Sequence, residues 1–504
     1  AGRDVLLDGA DAPAGSPQNM LAAVADIRAG ETVDVSGGRF VDMRANAILK
    51  ADDGNPSTST GVIRLTAGET LYVRSDAFGG HEVYLHSGGD VELRAELDSG
   101  HLIDVRAGLG PTGVGSVITD INADLATSGS EIHMLAGPKG GNLLLNDAQI
   151  YTAGPIELTA PAGALINTGG WILADTMTAT ARDGITGQID VRKLYAAITG
   201  DGDLALTTAG DVTLADVSVA NGSVDVQGFG NVVAQIVKTL GGDGDVTLGS
   251  YGGNLTLGMI QAAGTFSAQA NVGDILQSAG GSISAADVSF TGELPPNLNL
   301  SANELTIVAY QPGDIVINHP STETLTLVEV WVLDGSLIVN TGGDLIVKDA
   351  RLLTPKTTNQ VSLVAGGDVV IEKLWAGEYV ADATAAADAR TRLGLPAETK
   401  FSSVSDVSIV AGGSISGGGS TDVDDEVDLV ADQVTLRAHD SIGNFELAVN
   451  RIVDVTSTTG AIDLHDDDGF DEQSPGLALE RAAAPAGAIS ISSAGTFLVG
   501  SVVA

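Results

Sequence analysis

The densest set of hard ligands in the chain is the run Thr421 to Asp428, TDVDDEVD, which carries Asp422, Asp424, Asp425, Glu426 and Asp428. So many carboxylates in so short a stretch suit calcium, which takes about six to eight oxygen ligands. Period-2 alternation places Asp422, Asp424, Glu426 and Asp428 on one face, expected to look to solvent. The second set is His465 to Glu472, HDDDGFDE, a glycine-containing loop with Asp466, Asp467, Asp468, Asp471 and Glu472. It has the composition of a calcium loop without EF-hand spacing. With Gly469 as the turn glycine, the first ligand position falls on Leu464 and the last on Pro475. Each run also reads as plain solvated acidic surface, and Asp52-Asp53-Gly54 as a turn. Calcium is the one cofactor these residues put forward.

Other chemistries find less footing. The chain has no cysteine, which excludes disulfides and thiolate metal sites. Its seven histidines, His81, His86, His101, His133, His319, His439 and His465, show no zinc-ligand spacing. His81 and His86 flank one strand and are expected on opposite faces. GGDGDVTLG (Gly241 to Gly249) sets its Asp one place early for a calcium nonapeptide and does not repeat in tandem. No glycine run precedes Lys-Ser/Thr at P-loop spacing, and no nucleophile elbow appears. Asp42, Arg44, Lys50 and Asp52 are the mixture of acids and bases that a sugar-cleaving groove needs, if the fold gathers them. Trp171, Trp331 and Trp375 are isolated in sequence and read as packing residues.

Any such site must be positioned by a repeat. From Gly202 to Phe290 one unit returns: glycine, then Asp, Asn or Ser, then alternating apolar and small polar residues. The post-glycine position falls at 203, 223, 245, 265 and 282, in steps of 20, 22, 20 and 17. A second set falls at 211, 231, 254 and 274, in steps of 20, 23 and 20. Alternation is the signature of a half-buried strand, and glycine followed by Asp or Asn of a turn. A unit this short cannot bury its own apolar face, but stacked copies can. The reading is all-β: a parallel β-helix (β-solenoid) with coils of about 20 residues.

Composition agrees. Gly accounts for 66 of 504 residues, roughly twice ordinary usage. Aromatics are 4%, which suits a core of stacked Val, Ile, Leu and Ala. No apolar run reaches the ~18 residues of a membrane-spanning helix. Net charge is −41, a field that repels nucleic acid and anionic membranes and attracts cations. Residues 1–36 read as a capping segment with a short helix, since Met20, Leu21, Val24 and Ile27 share a helical face after Ser16-Pro17. The solenoid runs over 37–378. An alanine-rich helical insertion is expected at 379–400, and the solenoid resumes over 401–504 with a second insertion near 474–487. The first residue, Ala1, and the closing FLVGSVVA read as cuts through something longer.

The segments GDLALTTAGDVTLADVSVANGSVDVQG, GDVTLGSYGGNLTLGMIQAAGTFSAQA and GGDLIVKDARLLT resemble the filamentous-haemagglutinin type of large secreted bacterial adhesin. The likeness covers residues 37–378 and 401–504. The secretion domain of that family is not recognisable in 1–36, and the alanine-rich insertions lie outside its coil pattern. The resemblance implies a right-handed β-helix and an extracellular or cell-surface location. It also implies a structural or adhesive role without catalysis, in a larger adhesin, filament or surface layer. Expected partners are other copies, neighbouring segments of a longer chain, or a cell-surface glycan or protein. A polysaccharide lyase or glycoside hydrolase, or a calcium- or glycan-binding module, is the alternative. The resemblance carries over no site residues.

Overall fold

The computed structural model describes residues 4–9, 20–23, 27–43, 48–51, 60–120, 123–127, 131–293, 297–309, 311–354, 356–376, 405–418, 427–466, 477–493 and 496–504. The chain divides into two units, Ala1–Gly264 and Thr265–Ala504. Each is a parallel β-solenoid, and no helix occurs among the described residues.

In the first unit a coil is three short strands. Val62–Ala67, Thr70–Val73 and Asp76–Gly79 make one; Glu82–Ser87, Val91–Leu93 and Leu97–Ser99 make the next. Each strand pairs in parallel with its equivalent one coil on. Further along, two of the three strands fuse into one long bent strand, as in Val212–Val219 beside the short Leu204–Thr208. Coil length follows from register. Glu82 aligns with Leu102, a step of 20, but Leu102 aligns with Glu131, a step of 29 that accommodates the corner loop 107–116.

Alternation buries one side chain in two, and the buried ones stack coil upon coil. One ladder of the first unit runs Val33, Ile63, Val83, Ile103, Ile132, Ile156, Met177, Leu194, Leu214, Ala234, Leu257, all within the core. The second unit has the equivalent in Ile315, Leu337, Val361, Val407, Val434, Ile452, Leu479. Phe266 and Phe290 meet edge to face at 6.0 Å between centroids in its interior. His319 is buried on an inward position, with Nδ1 3.1 Å from Thr341 Oγ1, and burial lowers its pKa from the ordinary value.

The corners explain the repeat. At the post-glycine position a side-chain oxygen accepts the backbone N–H of the same corner one coil on. Asp203 accepts from Ser223, and Ser223 Oγ from Asp245. Asp211 accepts from Asn231 at 2.7 Å, and Asn231 from Asn254. Asp90, Ser116 and Asn142 form the same relay earlier in the first unit, ending on Ala164. In the second unit the relays are Asp314 to Ser336 to Gln360, and Asp344 to Asp368 to Ser414 to Ser441. Glycine is needed beside them because the coils touch there. A Cβ on Gly230 would lie 2.5 Å from Asp211 Oδ1.

Two expected helical or inserted segments are strands instead. Met20–Ala23 pairs in parallel with Phe40–Met43, and Ile27–Ala29 with Ile48–Ala51. The helical spacing of Met20, Leu21, Val24 and Ile27 spans too few residues to exclude a strand, and pairing with the next coil decides. In the 474–487 stretch, Leu477–Ala483 is a strand held between Ile442–Ser457 and Phe497–Val503, with Leu477 and Leu479 inward. The helix propensity of its alanines yields to two flanking strands. At the first insertion, Gln360 aligns with Asp406, a step of 46 against 24 for Leu337 to Val361. The added length falls where the insertion is expected, and residues 379–400 lie outside the described residues.

A corner hydrogen bond nets about 0.5–1.5 kcal/mol, and a buried Leu or Ile about 1.5–3 kcal/mol. The core therefore supplies most of the stability, and the corners select register. Asp211→Ala is expected to lower the unfolding free energy by about 1 kcal/mol. Asp211→Asn, which keeps the acceptor, is expected to stay within about 0.5 kcal/mol. Urea midpoints check this; equal losses in the two variants would assign the effect to charge instead.

Candidate functional site

In a solenoid, the outward residues of successive strands form columns. The strands Thr32–Gly37, Val62–Ala67, Glu82–Ser87, Leu102–Arg106, Glu131–Leu135 and Pro155–Ala160 share one face of the first unit. Its central column reads Asp34, Arg64, Tyr84, Asp104, His133, Glu157. The neighbouring column brings Thr66, His86 and Arg106 into line.

Two of these side chains, His86 and Arg106, converge on Asp104, which is 2% exposed. Arg106 Nε donates to Asp104 Oδ1 at 2.9 Å, and His86 Nε2 lies 3.2 Å from Oδ2. Burial alone would raise the Asp104 carboxyl. The hydrogen bonds from His86 and Arg106 outweigh it and hold the group below the ordinary carboxylate range. The same contact raises Arg106 further above its ordinary value. Tyr84 stands beside this cluster, with its ring edge-on to His86 at 5.9 Å and the Arg64 guanidinium 5.3 Å from its centroid. Its phenol is pushed up by burial and by donating to Glu82 Oε2 at 2.9 Å.

Glu82 also meets His81, whose Nδ1 is 3.2 Å from Oε1, and His81 stacks on His101 at 4.7 Å. His81 and His86 thus belong to one connected surface rather than to opposite faces. His81 precedes the strand and sits at the corner, so alternation does not govern it. Chemically, the face offers an imidazole held by a buried carboxylate, two guanidiniums and a phenol. That is equipment for proton transfer beside a stabilised negative charge. A signal for it was available in coil length: residues 64, 84 and 104 are spaced by 20 and 20.

The calcium candidates are placed in part. Asp428 is 9% exposed, and its Oδ2 accepts the N–H of Glu446 at 2.9 Å, so it faces a coil corner and not the expected solvent face. The corner brings it beside Gly417, where a Cβ would lie 2.3 Å from Oδ2. Asp466 is buried at the end of Ile462–Asp466 and accepts from Ser493 Oγ at 2.8 Å. Asp422, Asp424, Asp425, Glu426, Asp467, Asp468, Asp471 and Glu472 lie outside the described residues. Among the described residues no three His, Asp or Glu side chains are grouped to hold a metal ion. Of the sugar-cleaving mixture, Asp42 lies 3.9 Å from Arg74 and Lys50 belongs to another strand; Arg44 and Asp52 are not described.

Trp331 and Trp375, isolated in sequence, lie two coils apart with Arg351 aligned between them. The guanidinium is 5.5 Å and 4.9 Å from the two ring centroids, and it donates twice to Asp349. All three side chains are buried, which makes this a packing unit of the second solenoid.

No protein-family model matches the chain, and no curated protein or solved structure matches it.

Asp104→Asn is expected to lower the melting temperature at neutral pH, with the gap to wild type closing in acid. A carboxyl held below its ordinary value stabilises the fold above the unfolded value, about 3.9. That contribution is lost as pH falls through the folded value. Melts of both proteins from about pH 7 to about pH 2 check this; a gap that widens in acid would contradict the assignment.

Proposed function

We propose that this chain is an extracellular structural or adhesive β-solenoid, a non-catalytic part of a larger bacterial surface adhesin, filament or layer. The observation that carries the reading is the corner relay. From Asp90 to Ser441 the recurrent polar residues are engaged with the next coil, which is how a scaffold uses its side chains. The charge of −41 keeps neighbouring copies soluble and apart unless a cation bridges them. Calcium is the proposed bridge, held by the acidic runs around Asp428 and Asp466. The proposed partners are further copies or segments of the same kind and a cell-surface glycan or protein.

Sedimentation velocity with calcium and then with EDTA tests this. Large assemblies that dissolve in EDTA are the expected result. A monomer indifferent to calcium would sink the calcium-linked scaffold and leave the charge as a solubility feature.

A second reading rests on the His86–Asp104–Arg106–Tyr84 cluster, which puts acid, base and aromatic groups on one face, as a polysaccharide lyase or hydrolase requires. Incubation with soluble polysaccharides and assay for new reducing ends decides it. Cleavage that His86→Ala abolishes at unchanged melting temperature would establish an enzyme; absence of product from neutral and uronic polymers alike would remove this reading.

A further inference from the structure

Aromatic residues are scarce in this chain, nine Phe, seven Tyr and three Trp, and the largest fully buried side chains include Trp331, Phe266, Phe290 and Phe445. Against that background two aromatics of the first unit stand out on one corner. Phe229 is 59% exposed and Tyr251 43% exposed. They follow Gly228 and Ser250, which are aligned, so they occupy the same corner in consecutive coils. Their rings lie 5.8 Å apart at 34°.

The corner is built rather than loose. Phe229 N donates to Thr208 O at 3.0 Å and Tyr251 N to Gly228 O at 2.8 Å. Ser250 Oγ accepts the N–H of Gly253 and has both Gly253 O, in its own corner, and Gly230 O, in the preceding one, within reach of its single proton. Gly252 permits the approach, since a Cβ there would meet Phe229 O at 2.3 Å. The backbone that carries the two rings is thus fixed before any ligand arrives, which reduces the ordering cost of binding. Asn231 lies two residues beyond Phe229 and Asn254 three beyond Tyr251; with Asp211 one coil earlier they form the polar relay of the same corner.

We infer that Phe229 and Tyr251 form a platform for a neutral saccharide of a cell-surface glycan, an inference that rests on the adhesive reading. A pyranose presents an apolar C–H face to stack on the rings and hydroxyls around its rim for the corner carboxylate and amides and the Tyr251 hydroxyl. The charge selects the class. Asp211 carries a carboxylate in the same corner relay, and the chain has a net charge of −41, so uronic, sialylated or sulfated chains are repelled. An organic cation fits less well, because the two rings lie side by side and tilted, an open surface without the enclosing walls of an aromatic cage.

Isothermal titration of the whole chain with maltohexaose, cellohexaose and mannohexaose tests the platform, with polygalacturonate and choline as counter-probes. One of the neutral hexasaccharides is expected to bind. The double variant Phe229→Ala/Tyr251→Ala is expected to weaken that binding at least tenfold without moving the melting temperature. Tyr151→Ala, at another exposed aromatic of the unit, is expected to leave it unchanged. Binding by none of the three, equal binding by the double variant, or binding of polygalacturonate or choline in their place would overturn the inference. Beads coated with the chain separate this from the adhesive reading. Adhesion to glycan-bearing cells that survives the double variant leaves the adhesive reading standing and overturns the platform. Saccharide binding through the two rings without adhesion by wild type upholds the platform and overturns the adhesive reading.

Discussion

One hydrogen bond organises this molecule: an oxygen on the first side chain after a corner glycine takes the N–H of the same corner in the next coil. The core alone would leave register loosely set. Its ladders are mostly Val, Ile, Leu and Ala, with Met or Phe at a few levels such as Met177 and Phe266, and a coil slipped by two residues would bury a similarly apolar set. Apolar burial is non-directional, so it drives stacking without saying which residue stacks on which. The corner bond is directional and short, 2.7 Å between Asp211 and Asn231, and it is lost on any slip. Glycine belongs to the same device. It removes the Cβ that would strike the acceptor, as at Gly230 against Asp211 and at Gly413 against Asp368, where the approach would be 2.1 Å.

Fixed register turns the outer faces into a lattice, and what the lattice brings together is set by coil length. Arg64, Tyr84 and Asp104 become neighbours because the coils there are 20 residues long. Trp331, Arg351 and Trp375 align although the steps between them are 20 and 24 residues, because a longer corner absorbs the difference. Corner loops therefore vary at little cost to the faces, as a loop of doubled length adds only about 0.6 kcal/mol of closure entropy. The 46-residue coil from Gln360 to Asp406 is the extreme case, and its flanking strands still pair in register.

What sequence shows depends on whether a pattern is local. The post-glycine Asp, Asn and Ser residues are local, and reading them yields the solenoid and its coil length. The outer cluster is not local: Glu82, His86, Asp104 and Arg106 look unrelated until the chain is wrapped at 20 residues. Asp428 looked solvent-facing by alternation because a corner was continued as a strand. The helical reading of Met20 to Ile27 and the insertion reading of Leu477 to Ala483 failed for the opposite reason. The local signal, a short helical spacing in one and alanine propensity in the other, was present, and pairing with a neighbouring coil decided against it.

The relay also accounts for its own composition. A column made only of Asp would set like charges about one strand spacing apart, about 4.8 Å. Even at the dielectric constant of water that repulsion is about 0.9 kcal/mol per neighbour, comparable to the hydrogen bond that the column exists to make. The columns are instead mixed: Asp90, Ser116, Asn142; Asp203, Ser223, Asp245; Asp211, Asn231, Asn254; Asp314, Ser336. Each keeps an oxygen acceptor at every level while separating the carboxylates. The exception, Asp344 above Asp368, is relieved by Ser414 and Ser441 at the next levels. Acidity within the corner columns is thus bounded by the fold: a carboxylate is used where its neighbours in the column are hydroxyls or amides.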